Sequence, residues 1–238
     1  MALPFPVPHL PPWLSISCCT VADVDEIAEV YYEGFQTDLR NTFWWSEDKD
    51  AMFAWMKRRI RRKMADPSVR HFKVTNVDGG DIVAWARWDI PGGLAAALGG
   101  AMQGENLPVG SAPVETSTPA IDYPEGVRPE LCQVFFSALR EMAEKHNTKT
   151  MLGLSLLCTS PKYHRRGAAW ALTEPMWTLA DAHGVKAYLE ATPGGKPVYE
   201  KWGFREVDEL TFDLEKLTDK FKETYKLSIM VREPKSIP

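Results

Sequence analysis

The residues of this chain best suited to chemistry gather in the stretch Thr159-Ser160-Pro161-Lys162-Tyr163-His164-Arg165-Arg166-Gly167-Ala168-Ala169. The run 154–158 is apolar and of strand length, Pro161 ends it, and small residues then open a helix expected over 168–183. A strand, a turn and a helix start make an anion site. The first N–H groups of a helix lack internal partners, and the helix dipole adds partial positive charge there. Gly167, Ala168 and Ala169 keep side chains away from whatever approaches, while Arg165 and Arg166 supply charge and planar donors suited to phosphate. His164 is either a further phosphate donor or a solvated turn residue.

Several elements must hold this loop in place. A strand is expected over 14–19, and Thr20 with Asp23 forms a capping box for a helix reaching about Leu39, with Val24, Ile27, Ala28, Tyr31 and Phe35 at helical spacing. A second helix, 46–65, carries Met52, Met56, Ile60 and Met64 on one face. Its last turns hold Lys57, Arg58, Arg59, Arg61, Arg62 and Lys63, which read either as a nucleic-acid patch or import signal, or as a solvated face with cations at a helix C-terminus. The connector Asn41-Thr42-Phe43-Trp44-Trp45 is unusually aromatic. Strands 71–76 and 81–88 flank Asp78-Gly79-Gly80, a hairpin signal. From 91 to 129 the composition turns to Gly, Ala, Pro, Ser and Thr, as in a lid, a binding loop or disorder, and a helix is expected over 130–146 with Leu131, Val134, Phe135, Ala138, Leu139 and Met142 on one face. Strands at 186–192, 204–214 and 225–232, with a short helix at 198–202, complete the pattern.

With 238 residues and 45% hydrophobic content the chain can bury a full core, and its length suits one enlarged domain over 14–233 with an insertion at 91–146, a Pro-rich arm at 1–13 and a tail at 234–238. A net charge of −4 argues against a global pull toward nucleic acid or anionic membrane, so any basic site is local. The four cysteines, Cys18, Cys19, Cys132 and Cys158, lack paired metal-ligand spacing and read as reduced thiols; no metal is expected. No apolar run approaches the roughly 20 residues of a membrane span, and 1–13 lacks the features of a signal peptide, so a cytoplasmic protein is expected.

The loop 159–169 resembles the acyl-CoA pyrophosphate loop of the GNAT superfamily of N-acyltransferases, usually written Gln/Arg-x-x-Gly-x-Gly/Ala. Gly167 and Ala169 fit its last two defined positions, and His164 stands where Gln or Arg is usual. A second segment, Gly195-Lys196-Pro197-Val198-Tyr199-Glu200-Lys201-Trp202-Gly203-Phe204, resembles the family's closing Tyr-x-x-x-Gly-Phe signature, and the resemblance is strongest over 152–214. Tyr-Leu-Glu-Ala-Thr followed by Gly-Lys-Pro-Val-Tyr is similar to uncharacterised acetyltransferases of filamentous fungi.

The resemblance implies an α/β fold: a GNAT-like central mixed, mostly antiparallel twisted sheet of about seven strands flanked by helices, with an insertion before the central strand. It implies acetyl-CoA as acyl donor, held by the loop from His164 to Ala169 and by the backbone of Leu156, Leu157, Cys158 and Thr159, with Leu157 contacting the oxyanion. Tyr199 matches the tyrosine that serves the leaving sulfur, the other reading being a side chain that packs in a short helix, and Trp44 and Trp45 lie in the loop that walls the acceptor site, although such tryptophans are about as often core or an edge-covering plug. Glu190 is a candidate base through water if its strand turns it inward; alternation could equally point it to solvent. Glu33 and Asp89 are further carboxylates to consider, and an amine could also lose its proton to solvent. Cys158 lacks an activating histidine pattern nearby, so direct transfer to a small amine is expected, without an acyl-enzyme. A CoA-binding regulatory or catalytically degenerate relative is the alternative, and the oligomeric state is open.

Overall fold

The computed structural model describes residues 2–98 and 122–235, so most of the expected loop over 91–129 lies outside the described residues. Seven strands form one mixed sheet: β1 (Leu14–Cys18), β2 (Val69–Asn76), β3 (Ile82–Asp89), β4 (Leu152–Thr159), β5 (Ala187–Ala191), β6 (Arg205–Asp213) and β7 (Thr224–Arg232). Their order is β1-β2-β3-β4-β5-β7-β6. Every neighbouring pair is antiparallel except β4 with β5.

The α-helices among the described residues are α1 (Val24–Phe35), α2 (Lys49–Met64), α3 (Gly92–Ala95), α4 (Pro129–Lys145), α5 (Ala168–Ala182), α6 (Lys196–Lys201) and α7 (Leu214–Leu217). The Thr20 N–H donates to Asp23 Oδ2 at 2.6 Å, so the capping box is real, although its first turn, Val21–Asp23, is a 3-10 turn. Helix α1 stops at Phe35, short of Leu39, because the Thr37 hydroxyl donates to the Gly34 carbonyl at 2.9 Å and the chain breaks into tight turns. Those turns draw Phe43, Trp44 and Trp45 into the core. Helix α2 begins after Asp48, whose Oδ1 accepts from the Asp50 and Ala51 amides at 2.9 and 3.2 Å.

Each face of the sheet has its own core. Ala84, Ala86 and Trp88 of β3 meet Leu172, Met176 and Trp177 of α5 on one side. Trp85 of β3 meets Tyr31, Trp55 and Phe135 of α1, α2 and α4 on the other. Val134 departs from the face expected for α4: it is 40% exposed, one step off the stripe on which Leu131 and Phe135 are buried. The Pro-rich arm packs down, with Phe5 edge-on to Phe72 at 5.0 Å.

The two sequence-distant ends of the central region are clasped by a buried ion pair. Arg232 on β7 donates from both terminal nitrogens to Asp181 near the end of α5, at 2.7 and 2.6 Å. Burial alone would raise the Asp181 carboxyl, but the bonds from Arg232 and from the Lys235 amide, with the two cationic charges, together outweigh this and hold it below the ordinary aspartate value. A depressed carboxyl stabilises the fold above its unfolded value and loses that contribution as pH falls through the folded one. Asp181→Ala, which leaves Arg232 buried and uncompensated, is expected to cost about 3–5 kcal/mol in urea unfolding at pH 7. The deficit relative to the parent should shrink as the pH is taken below about 4.

Candidate functional site

The central feature is a parting between β4 and β5. They pair only at Leu152 with Ala187 and at Gly153 with Tyr188, after which the strands separate. A register shift against β3 begins at the same place: Arg87 faces Leu156 but Trp88 faces Leu154, leaving Ser155 as an extra, bulged residue. Farther along, Ser160 N–H donates to Val83 C=O at 2.9 Å. Because backbone groups alternate in an antiparallel ladder, the amides of Leu156 and Cys158 turn toward β3, and those of Leu157 and Thr159 turn into the gap. The gap opens on a cavity of about 510 Å³ that reaches the space beneath α1, α2 and α4.

The loop 159–169 lies at the open end of the gap. A 3-10 turn, Pro161–Tyr163, follows the strand, and the His164 ring nitrogen Nε2 lies 3.0 Å from the Thr159 carbonyl oxygen. Arg165 has φ of +61° and Gly167 φ of +88°, the left-handed turn that sets up the start of α5. The first helical bond runs from Ala171 N–H to Gly167 C=O at 3.0 Å, which leaves the earlier amides of the turn without helical partners. A Cβ placed on Gly167 would meet open space within 4 Å, so the approach to those amides is clear. Arg165 and Arg166 are exposed, and Arg166 lies 5.5 Å from the Trp13 ring centre and 5.6 Å from that of Tyr163. The N-terminal arm thus steadies one of the loop's cations.

Tyr199, Glu190, Leu156, Leu157, Trp44 and Trp45 all line the cavity. Tyr199 sits on α6 with its ring edge-on to Trp202 and Phe204 at 5.6 and 6.0 Å, and burial pushes its phenol up. Gly195 makes room for it, since a Cβ there would come within 3.1 Å of Tyr199 Cε2. Alternation along β5 turns Glu190 inward beside Tyr188. Burial raises the Glu190 carboxyl to about 7, against the lowering influence of the Tyr188 hydroxyl. Asp89 also reaches the cavity and accepts from the Ser155 hydroxyl at 2.5 Å, whereas Glu33 accepts from Ser160 Oγ at 3.0 Å on a different surface. Cys158 is buried against α1, where a Cβ on Gly34 would lie 2.9 Å from its own, and burial pushes its thiol well up. Such a thiol is a poor nucleophile.

Two residues that the sequence did not place at the site stand in the same cavity: Arg59, read from the sequence only as part of the basic run of α2, and Arg87. The basic run of α2 is mostly spent on surface ion pairs. Arg58 and Arg62 reach Asp122 at 3.4 Å each, Lys57 and Arg61 reach Asp25 at 3.1 and 3.7 Å, and Lys63 reaches Asp66 at 3.5 Å. Arg59 instead turns inward, its guanidinium 5.2 Å from the Trp55 ring centre and 4.6 Å from that of Phe136. Its i, i+4 spacing from Trp55, beside the Met52, Met56, Ile60 line, is the signal that would have placed it.

Residues 138–214 match the family described as "Acetyltransferase (GNAT) domain". No curated protein sequence matches the chain. Among solved structures, the chain is similar to the histone acetyltransferase HPA2 and related acetyltransferase from Corynebacterium glutamicum, with a TM-score of 0.55 at 19% identity over 94% of this chain and 98% of that one. It is similar also to the C-terminal condensation domain of Ebony in complex with beta-alanyl-dopamine, with a TM-score of 0.59 at 11% identity over 94% and 100% of the two chains. A third is the ribosomal-protein-S18-alanine N-acetyltransferase of Escherichia coli, with a TM-score of 0.51 at 13% identity over 94% and 96%. At such identities the likeness is one of architecture: the chain has the GNAT acetyltransferase fold, with the family's sequence pattern in residues 138–214.

Proposed function

We propose that this protein is an acyl-CoA-dependent N-acyltransferase that passes the acetyl group of acetyl-CoA directly to the amine of a small molecule. The observation that carries the reading is the two-residue pairing of β4 with β5, which opens a backbone-lined gap between the α5 N-terminus and an internal cavity. The unobstructed approach at Gly167 and the gap-facing amides of Leu157 and Thr159 fit a nucleotide thioester. The loop from His164 to Ala169 would hold its phosphates and the backbone of Leu156 to Thr159 its pantetheine arm. The thioester supplies an activated acyl group.

The protein's own groups divide the remaining work. Leu157 N–H, pointing into the gap, is a donor for negative charge developing on the acyl oxygen. Tyr199, whose phenol keeps its proton throughout the neutral range, is the acid for a departing thiolate. Glu190, ionising at about 7 within the cavity, takes the proton of an incoming ammonium through water. The inert Cys158 favours a ternary complex over a covalent acyl-enzyme.

Calorimetric titration with acetyl-CoA should show binding by the parent and its loss in the Arg166→Ala/Gly167→Glu double variant. No binding by the folded parent would overturn the proposal. Tyr199→Phe should lower kcat on the order of 10²-fold in a thiol-release assay while leaving acetyl-CoA affinity in place. With an amine acceptor, kcat/KM should rise as pH passes through about 7, and Glu190→Gln should remove that limb. An unchanged profile in the variant would take Glu190 out of the role.

A further inference from the structure

The acceptor side of the cavity carries two cations that the acyl-transfer chemistry does not use. Arg87 lies on β3 between Trp85 and Asp89, is 6% exposed, and leaves its Nε buried without a hydrogen-bond partner among the described residues. Arg59 approaches from α2, between the rings of Trp55 and Phe136. Both line the cavity, and neither forms an ion pair with a carboxylate among the described residues. Of the nearby acids, Asp122 holds Arg58 and Arg62, Asp38 accepts from the Tyr225 hydroxyl at 3.0 Å, and Asp89 accepts from Ser155. Glu190 feels the charge of Arg87, but burial outweighs it and holds the carboxyl up at about 7, so it supplies only part of a counter-charge. Arg59 also feels its neighbour, since burial first and then the charge of Arg87 hold its guanidinium down at about 10. Two like charges drawn out of water together, one with an unused N–H, are a costly arrangement unless an anion completes it.

That anion is not the phosphate group of the acyl donor. Arg87 stands opposite Leu156, three residues before the strand's end at Thr159, so about 10 Å of strand separates it from the loop that opens α5. Its side chain also belongs to the sheet face covered by α1, α2 and α4, together with Trp85, and not to the α5 face. The walls beside the pair are aromatic: Trp44 stacks on Phe135 at 5.3 Å and meets Phe136 edge-on at 4.9 Å. Asn41, 6% exposed, adds a buried Oδ1 that lacks a hydrogen-bond donor among the described residues.

Resting on the acyltransferase reading, we infer that the acceptor is a small amine that also bears a carboxylate on an apolar or aromatic frame, with the carboxylate seated between Arg59 and Arg87. Planar guanidinium groups match a carboxylate in geometry, and the aromatic walls cover the frame. Such a molecule turns its ammonium toward Glu190, its carboxylate toward the arginines and its frame toward the aromatic wall, so the cavity orients it.

The test uses 3-phenylpropionate and 3-phenylpropionamide, which differ in charge but hardly in shape, titrated into the intact protein and followed by tryptophan fluorescence. The acid should bind at least about 30-fold more tightly than the amide. Arg87→Leu and, independently, Arg59→Gln should each remove that preference, with Arg87→Lys restoring part of it. Equal binding of acid and amide, or no binding of the acid to the folded parent, would overturn the inference. In thiol-release assays, phenylalanine should be favoured over phenethylamine by a similar factor in kcat/KM, through KM, and the variants should equalise the two. Acetyl-CoA titration of the same samples separates the failures. Transfer to phenethylamine as good as to phenylalanine sinks the carboxylate site and leaves the acyltransferase reading standing. Carboxylate binding without acetyl-CoA binding does the reverse.

Discussion

The structure depends on the brevity of one strand pairing. Two residues of β4 bond β5 and the next ones do not, so a central strand of a seven-stranded sheet is left with backbone donors and acceptors facing a gap. Buried peptide groups are costly without partners, and a sheet that parts in its middle would ordinarily be destabilised by them. The bulge at Ser155 makes the parting possible by bending β4 away, while β3 continues to hold its other edge through Arg87 with Leu156 and Ala84 with Thr159. The parting leaves a slot lined by backbone groups.

The faces of the sheet take different surroundings from this arrangement, although both carry arginines. On the α5 side, unpartnered helix amides and exposed arginines leave a positive rim of the kind that suits an anion, with Arg166 braced by Trp13 from the N-terminal arm. On the other side, α1, α2 and α4 cover a cavity that is aromatic in its walls and cationic at Arg59 and Arg87. Tyr199 and Glu190 reach the cavity from α6 and β5, along the gap. Groups able to move protons therefore lie where molecules from the two sides would meet.

Much of this was legible in the sequence. Alternation gave the strands, Thr20 with Asp23 marked the first helical turn, and the Tyr199 to Phe204 segment placed α6 ahead of β6 because each rule acts over a few residues. Gly167 marked the turn because no other residue tolerates its φ as well. The inward arginines were not legible by the same means. Arg59 is embedded among five cations that do face outward, and only the packing of Phe136 from a helix distant in sequence decides which one is covered. Arg87 occupies a strand buried on both faces, where alternation separates neighbours but does not say that a charge will lie there without an ion pair among the described residues. The orientation of Glu190 likewise waited on tertiary structure, since either face of β5 could have met solvent.

The most direct test of the central claim is residue-resolved amide hydrogen exchange of the protein with and without acetyl-CoA. If the gap between β4 and β5 is the donor site, added acetyl-CoA should slow exchange at Leu157 and Thr159 and in the first turn of α5, while Leu156 and Cys158, already bonded to β3, change little. Unchanged exchange at Leu157 and Thr159, with protection elsewhere or nowhere, would contradict the account.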